Sequence, residues 1–221
     1  MMNLMRAKNI AYELHRFTRV DANTNLFEKL RSRAEHIDTY YKGINKYFIM
    51  AGSYLSSTQK TDTINLYSLN EGKTPYSPVA ILNAFGGEMK DFVQELTRLP
   101  TMADKSFIEK ITKAWRNEHI EFLNDDATVR EFQGMAYAGW CSKNLSQAAQ
   151  VILLAEALMK IESDEADAKN LKSPAWSMAE ALKGTSPEMY QACVISRAQH
   201  SKVCSKYIPD VVQMRKTLER M

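Results

Sequence analysis

The residues with the most chemistry to offer are cations set beside aromatic rings: Arg16-Phe17-Thr18-Arg19, Tyr40-Tyr41-Lys42, Lys46-Tyr47, Lys113-Ala114-Trp115-Arg116, and the run from Lys202 to Tyr207. Lys and Arg neutralise phosphates whatever the base sequence, and exposed rings stack on unpaired bases, so the pairing suits a single-stranded polyanion. The competing reading puts the rings in a core and leaves the cations as a solvated rim. Helical spacing places Lys113 with Arg116, and Lys202 with Lys206, on one face each. The positions expected to meet phosphate are Lys42, Lys46, Lys113, Arg116, Lys143, Arg197, Lys202 and Lys206.

Other chemistries find little support. The chain has neither G-x-x-x-x-G-K-[ST] nor G-x-G-x-x-G, so the common phosphate-cradling loops are absent, and it has no G-x-S-x-G elbow. Asp125-Asp126 opens like a D-D-x-x-D magnesium motif, but Val129 stands where the third carboxylate is wanted; a helix cap is the reading that fits. Glu35-His36 and Glu118-His119 repeat a pair that a di-iron bundle would need spaced as Glu-x-x-His. Adjacent residues point about 100° apart on a helix, so neither pair converges. Cys141, Cys193 and Cys204 lack the short paired spacing of a zinc ribbon or disulfide framework. Cys193, His200 and Cys204 share one helix side, yet only His200 and Cys204 are close enough to share an ion, and a tetrahedral site needs more ligands. No cofactor, metal or catalytic residue is expected, and the chain is not read as an enzyme.

Charge supports the polyanion reading. Met1 to Lys60 carries ten Lys/Arg against five Asp/Glu, Gln191 to Met221 six against two, and the middle thirteen against nineteen. The net charge of +3 therefore conceals a basic, acidic, basic layout. Such a layout calls for a polyanion, or for the acidic middle of a neighbouring copy, a head-to-tail contact that builds rings or filaments. At 221 residues, 45% hydrophobic and 25% charged, the chain can bury a sizeable core. Its most apolar run, Ala148 to Met159, is interrupted by Gln150 and Glu156 and falls short of the roughly 20 residues that span a bilayer. No membrane insertion is expected. Met1 to Arg6 turns polar at once, unlike a signal peptide, so a cytoplasmic location is expected.

The elements that must position these residues read as helices. Leu30, Ala34, Ile37, Tyr41, Ile44 and Phe48 recur at three and four residues, which predicts one continuous stripe capped by Thr24 or Asn25 and ended by Gly52 and the run Ser56-Ser57-Thr58. Ser77-Pro78, Ser173-Pro174 and Ser186-Pro187 each predict a helix start, because serine caps the free amides and proline needs no donor at the next position. The first predicts one helix through Leu82, Phe85, Met89, Phe92 and Leu96, with Gly86-Gly87 inside it marking a bend or a close helix contact. Further helices are expected from Thr101 or Asp104, after Asn124 to Asp126, over Leu145 to Ile161, from Pro174 to Lys183, from Pro187 to Tyr207 and from Asp210 to Met221. Thr63 to Leu69 alone has strand character. The expectation is an all-α, two-lobed multi-helix protein of eight or nine helices, with at most one small hairpin or extended linker. Its N-terminal lobe with a basic arm is expected over 1–100 and its C-terminal lobe over 101–221.

At Thr74-Pro75-Tyr76-Ser77 leading into Ala80-Ile81-Leu82 and Ala84-Phe85, and at Ala136-Tyr137-Ala138-Gly139-Trp140-Cys141, the chain resembles nucleocapsid proteins of segmented negative-strand RNA viruses of the bunyavirus type. Those families have a short Thr-led helix start and, in the phlebovirus branch, an Ala-Gly-Trp element in a central helix. The resemblance covers about thirty of the 221 residues. Pro78 stands where a basic residue is common, and the two elements are further apart than in that branch, so no individual RNA contact is carried over. The resemblance implies a helical, two-lobed nucleocapsid protein that clamps single-stranded RNA in a basic cleft, forms a homo-oligomer through a terminal arm or helix, and resides in a virion. Flexible filamentous plant-virus coat proteins, with similar helical cores, are the neighbouring possibility. Two other classes stay open. A helical protein-protein adaptor would use Val211, Val212, Met214 and Leu218 as anchors. A small all-α enzyme would need a pocket around Trp115, His119, Trp140 and Cys141.

Overall fold

The computed structural model of the protein describes residues 2–20, 24–57, 64–65, 75–76, 78–101, 103–118, 129–164 and 169–200. Among them are ten helices and a two-residue strand pair, so the protein is all-α. The chain divides into two compact units, one of Met1–Asp38 with Lys42–Leu99 and one of Thr39–Tyr41 with Pro100–Met221.

The first unit starts with α1 (Met2–His15), whose Ala7, Ile10 and Ala11 are buried. Helix α2 (Leu26–Tyr40) opens with a reciprocal cap: the Glu28 amide donates to Asn25 Oδ1 at 2.8 Å, and the Asn25 amide to Glu28 Oε2 at 3.1 Å. This satisfies two donors that an uncapped first turn leaves without partners. The stripe from Leu30 to Phe48 does not run on one helix. Helix α2 stops at Tyr40, and α3 (Lys46–Leu55) starts afresh after a turn in which the Lys46 amide bonds to Gly43 O. Ile44, expected on the apolar stripe, is fully exposed, whereas Tyr41 is buried. The turn lets Lys46 Nζ reach back to Asp38 Oδ1 at 2.7 Å; a continuous helix would hold residues eight apart about 12 Å from each other along its axis.

Gly52 does not end α3 but lies inside it. A Cβ at this position would overlap the Phe92 ring, with Cδ1 only 2.5 Å away, so the missing side chain is what lets α5 close on α3. Phe92 in turn stacks on Phe48, ring centroids 5.3 Å apart. The expected single helix after Pro78 is two: α4 (Pro78–Asn83) and α5 (Gly87–Thr97), broken at Gly86 with φ +93°. That conformation carries little penalty only for glycine, so the Gly-Gly pair breaks the helix rather than bending it. Two short strands, β1 (Ile64–Asn65) and β2 (Pro75–Tyr76), pair antiparallel with Ile64 opposite Tyr76. Beneath the helices, buried Arg33 donates from Nε to Ser53 Oγ at 2.8 Å and from Nη2 to Ser53 O and Ser56 Oγ. Buried His15 pairs with Ser57 Oγ at 2.8 Å.

The second unit is built around α8 (Gln147–Ser163), capped by Ser146 and burying Val151, Ile152, Leu154, Leu158 and Ile161. Full burial of each such side chain contributes about 1.5–3 kcal/mol. Helices α9 (Pro174–Ala181) and α10 (Pro187–His200) pack on it, each begun by a Ser-Pro pair: the Trp176 amide donates to Ser173 Oγ and the Met189 amide to Ser186 Oγ. Ser77, of the third pair, lies outside the described residues, though α4 does begin at Pro78. Helix α7 (Val129–Asn144) crosses the start of α9 closely, since a Cβ on Gly134 would sit 3.2 Å from Pro174 Cα. Helix α6 (Lys105–Glu118), capped by Asp104 through the Phe107 amide, packs on α7.

Candidate nucleic-acid interface

Helix α6 separates its faces sharply. Ile108 and Ile111 are buried against Ala136 of α7, with Phe107, Trp115, Tyr137 and Trp140 closing around them. On a helix with this inner face, residues at i, i+3, i+4 and i+7 from Glu109 line up beside one another. Those residues, Glu109, Thr112, Lys113 and Arg116, together with Asn117 and with Val129 and Gln133 of α7, line an open groove of about 710 Å³.

Arg116 is fixed in that groove from below. Its guanidinium carbon lies 4.6 Å over the ring of Phe132, which is buried on α7. The contact over the ring hides Nε, which is buried, and among the described residues neither Nε nor the terminal nitrogens have a hydrogen-bond partner. A cation held in this way presents two donors outward with little rotamer freedom left to lose. Thr112 Oγ1, in the same groove, is a second buried polar atom without a partner among the described residues. Lys113 is exposed beside it. Glu109 offsets one of the two positive charges of Lys113 and Arg116, so the groove is marked by placed donors as much as by net charge.

Lys143 and Arg197, of the same unit, do not line this groove. Lys143 is in the last turn of α7, ten residues or about 15 Å along the helix from Gln133. Arg197 lies on α10, its guanidinium carbon 4.8 Å over Trp176, and like Arg116 it hides an Nε without a partner among the described residues. Lys42 and Lys46 belong to the first unit. Lys42 is exposed in the turn before α3, whereas Lys46 is ion-paired with Asp38 and also donates to its carbonyl. Lys202 and Lys206 lie outside the described residues, as do Cys204, Asp125, Asp126 and His119. The structure thus brings Lys113 and Arg116 together and places Lys143 and Arg197 on other elements. Thr112 was legible from helical spacing, four residues before Arg116. Gln133 and Val129 reach the groove only through the pairing of α6 with α7, for which the sequence carries no local signal.

Of the residues named for an enzyme pocket, Trp115, Trp140 and Cys141 are among those described. Trp140 packs edge-on against Phe107 at 5.1 Å, and Cys141 is fully buried, burial pushing its thiol up to about 12. A buried thiol of this kind is a packing residue rather than a nucleophile. Tyr137 donates to Pro100 O at 2.9 Å, and burial raises its phenol. Among the described residues no three His, Cys, Asp or Glu side chains gather to hold a metal, and no helix is long and apolar enough to cross a membrane. No family model matches the chain, and no curated protein or solved structure matches it either.

Proposed function

We propose that the protein binds single-stranded RNA without base specificity and covers it by self-assembly, as a viral nucleocapsid or coat protein does. The observation that carries this reading is Arg116: stacked on Phe132 and open at its terminal nitrogens, it stands beside Lys113, Thr112, Asn117 and Gln133 in one groove. Phosphate oxygens are acceptors that such donors match, and amide and hydroxyl side chains add contacts to phosphate and sugar that do not read sequence. The basic ends of the chain add charge that draws a polyanion in. Assembly through a terminal arm or helix follows the same reading, with residues 201–221 outside the described part. The adaptor anchors Val211 to Leu218 lie there too.

The test is charge reversal of Lys113 and Arg116 to Glu, read by fluorescence anisotropy of a labelled oligouridylate at several salt concentrations. Each lost phosphate contact lowers the slope of log affinity against log salt by about 0.7 on a single strand, so the pair removes about 1.4. Lys183→Glu, at an exposed site paired with Glu180, serves as the control. Unchanged affinity and slope in the double variant, with the fold intact by circular dichroism, would remove the groove from the site.

A further inference from the structure

The first unit carries a feature of its own that suits the same ligand. Phe17 is 82% exposed, the most open aromatic ring among the described residues. It is not on a loose tail. The Arg16 amide bonds back to Tyr12 O, the Thr18 amide to His15 O at 3.1 Å, and the Leu26 amide to Thr18 O at 2.7 Å, while His15 itself is buried on Ser57. The backbone on both sides of Phe17 is therefore tied down.

The side chain is held as well. The guanidinium carbon of Arg16 lies 4.8 Å over the Phe17 ring and 5.3 Å over the ring of Tyr12. Glu13 pairs with its Nη2 at 3.4 Å, and its Nε is buried without a partner. Tyr12 leans edge-on against Phe27 at 5.1 Å, and Phe27 stacks on buried Tyr54. An aromatic series thus runs from the core of the unit out to Phe17, with one cation between its last two rings. An aromatic surface fixed before the ligand arrives loses little conformational entropy on binding.

We infer that Phe17, backed by Arg16 and Tyr12, is a stacking platform for an unpaired nucleobase, a contact distinct from the phosphate groove on α6 and α7. The inference rests on the RNA reading and supplies the base contact that the groove lacks. Charge favours this occupant: the first twenty residues hold Arg6, Lys8, Arg16 and Arg19 against Glu13 alone, so an incoming chain of phosphates is attracted rather than repelled. The ring is flanked by Arg16, Thr18 and Arg19 instead of an apolar rim, and every base has a flat face that such a ring accepts.

The experiment compares wild type, Phe17→Ala and Phe17→Trp on two labelled probes of about ten nucleotides, an oligouridylate and an abasic ribose-phosphate chain of the same length. The expected result is a loss of about tenfold for Phe17→Ala on the RNA, no change on the abasic probe, and retention by Phe17→Trp. Equal loss on both probes, or loss on neither, overturns the platform while leaving RNA binding in place. Wild type that binds neither probe at low salt removes the RNA reading and the platform together. If Phe17→Ala instead abolishes self-association in sedimentation velocity while keeping full RNA affinity, the ring is a contact between copies and the inference fails. Because Phe17 is exposed, its replacement leaves the melting curve where it was, and that curve accompanies each measurement.

Discussion

Replacing Gly52 with Ala tests whether the α3–α5 contact is what the glycine is for. In an open helix interior the change stabilises by about 1 kcal/mol, because glycine loses more backbone freedom on folding. Here the new Cβ falls on the edge of the Phe92 ring, 2.5 Å from Cδ1, where ordinary contacts begin near 3.4 Å. The ring has little room to yield: Phe92 is 6% exposed and stacked at 5.3 Å on Phe48. Forced overpacking of this kind costs about 1–3 kcal/mol, and displacing a buried Phe costs at the upper end of that range. Set against the helix gain, Gly52→Ala is expected to destabilise by about 1–2 kcal/mol, on the order of 5–10 °C for a unit of this size. Gly87→Ala is the matched control. Gly87 is the first residue of α5, and a Cβ there meets nothing within 4 Å, so that variant should stay within about 0.5 kcal/mol of wild type. Urea unfolding followed by far-UV circular dichroism separates the two. If Gly52→Ala is as stable as Gly87→Ala, helix propensity governs the position and the close approach of α5 does not.

Two further outcomes follow from buried polar groups. Ser53→Ala removes the acceptor of Arg33 Nε at a fully buried position, and an orphaned donor there is expected to cost about 1–3 kcal/mol; an unmoved urea midpoint would show that Nε finds another acceptor. Stability should also fall in base. Burial raises Tyr54 to about 12, with the Glu35 charge adding to it, and burial likewise raises Tyr190 and Cys193 to about 12 from 10.0 and 9.0. Between about pH 9 and 12 the unfolded chain has released protons that the folded chain still holds. The contribution is therefore complete below about pH 9 and lost as pH rises through 12. Urea midpoints that stay level from pH 8 to 11 would contradict it.

The arginines share one arrangement. Arg16, Arg116 and Arg197 each lie over an aromatic ring, and each has a buried Nε with no partner among the described residues. Stacking over a ring exchanges one donor for contact with the ring. Arg116 lies in the α6–α7 groove and Arg16 beneath Phe17. Arg197, over Trp176, has the same geometry on a separate pair of helices.

What the sequence determined by itself is local. The Ser-Pro starts of α9 and α10, the Asn25 cap of α2, the Asp104 cap of α6 and the all-helical character follow from residues within a few positions of one another, bonding to their own backbone. The adjacency of Lys113 and Arg116 is of the same kind, since three residues on a helix fix it. Tertiary structure decided the rest. The apolar period from Leu30 to Phe48 runs unbroken through the turn where α2 ends, and only the Lys46–Asp38 pair and the burial of Tyr41 show why the chain turns there and leaves Ile44 outside. Gly52 reads as a stop and serves as a contact; Gly86 reads as a helix interior and serves as a break. Gln133 reaches the groove because α6 lies on α7, and Arg116 faces outward because Phe132 lies beneath it. A periodic pattern states which face of each helix is apolar, but which two faces meet depends on shapes and partners far apart in the chain.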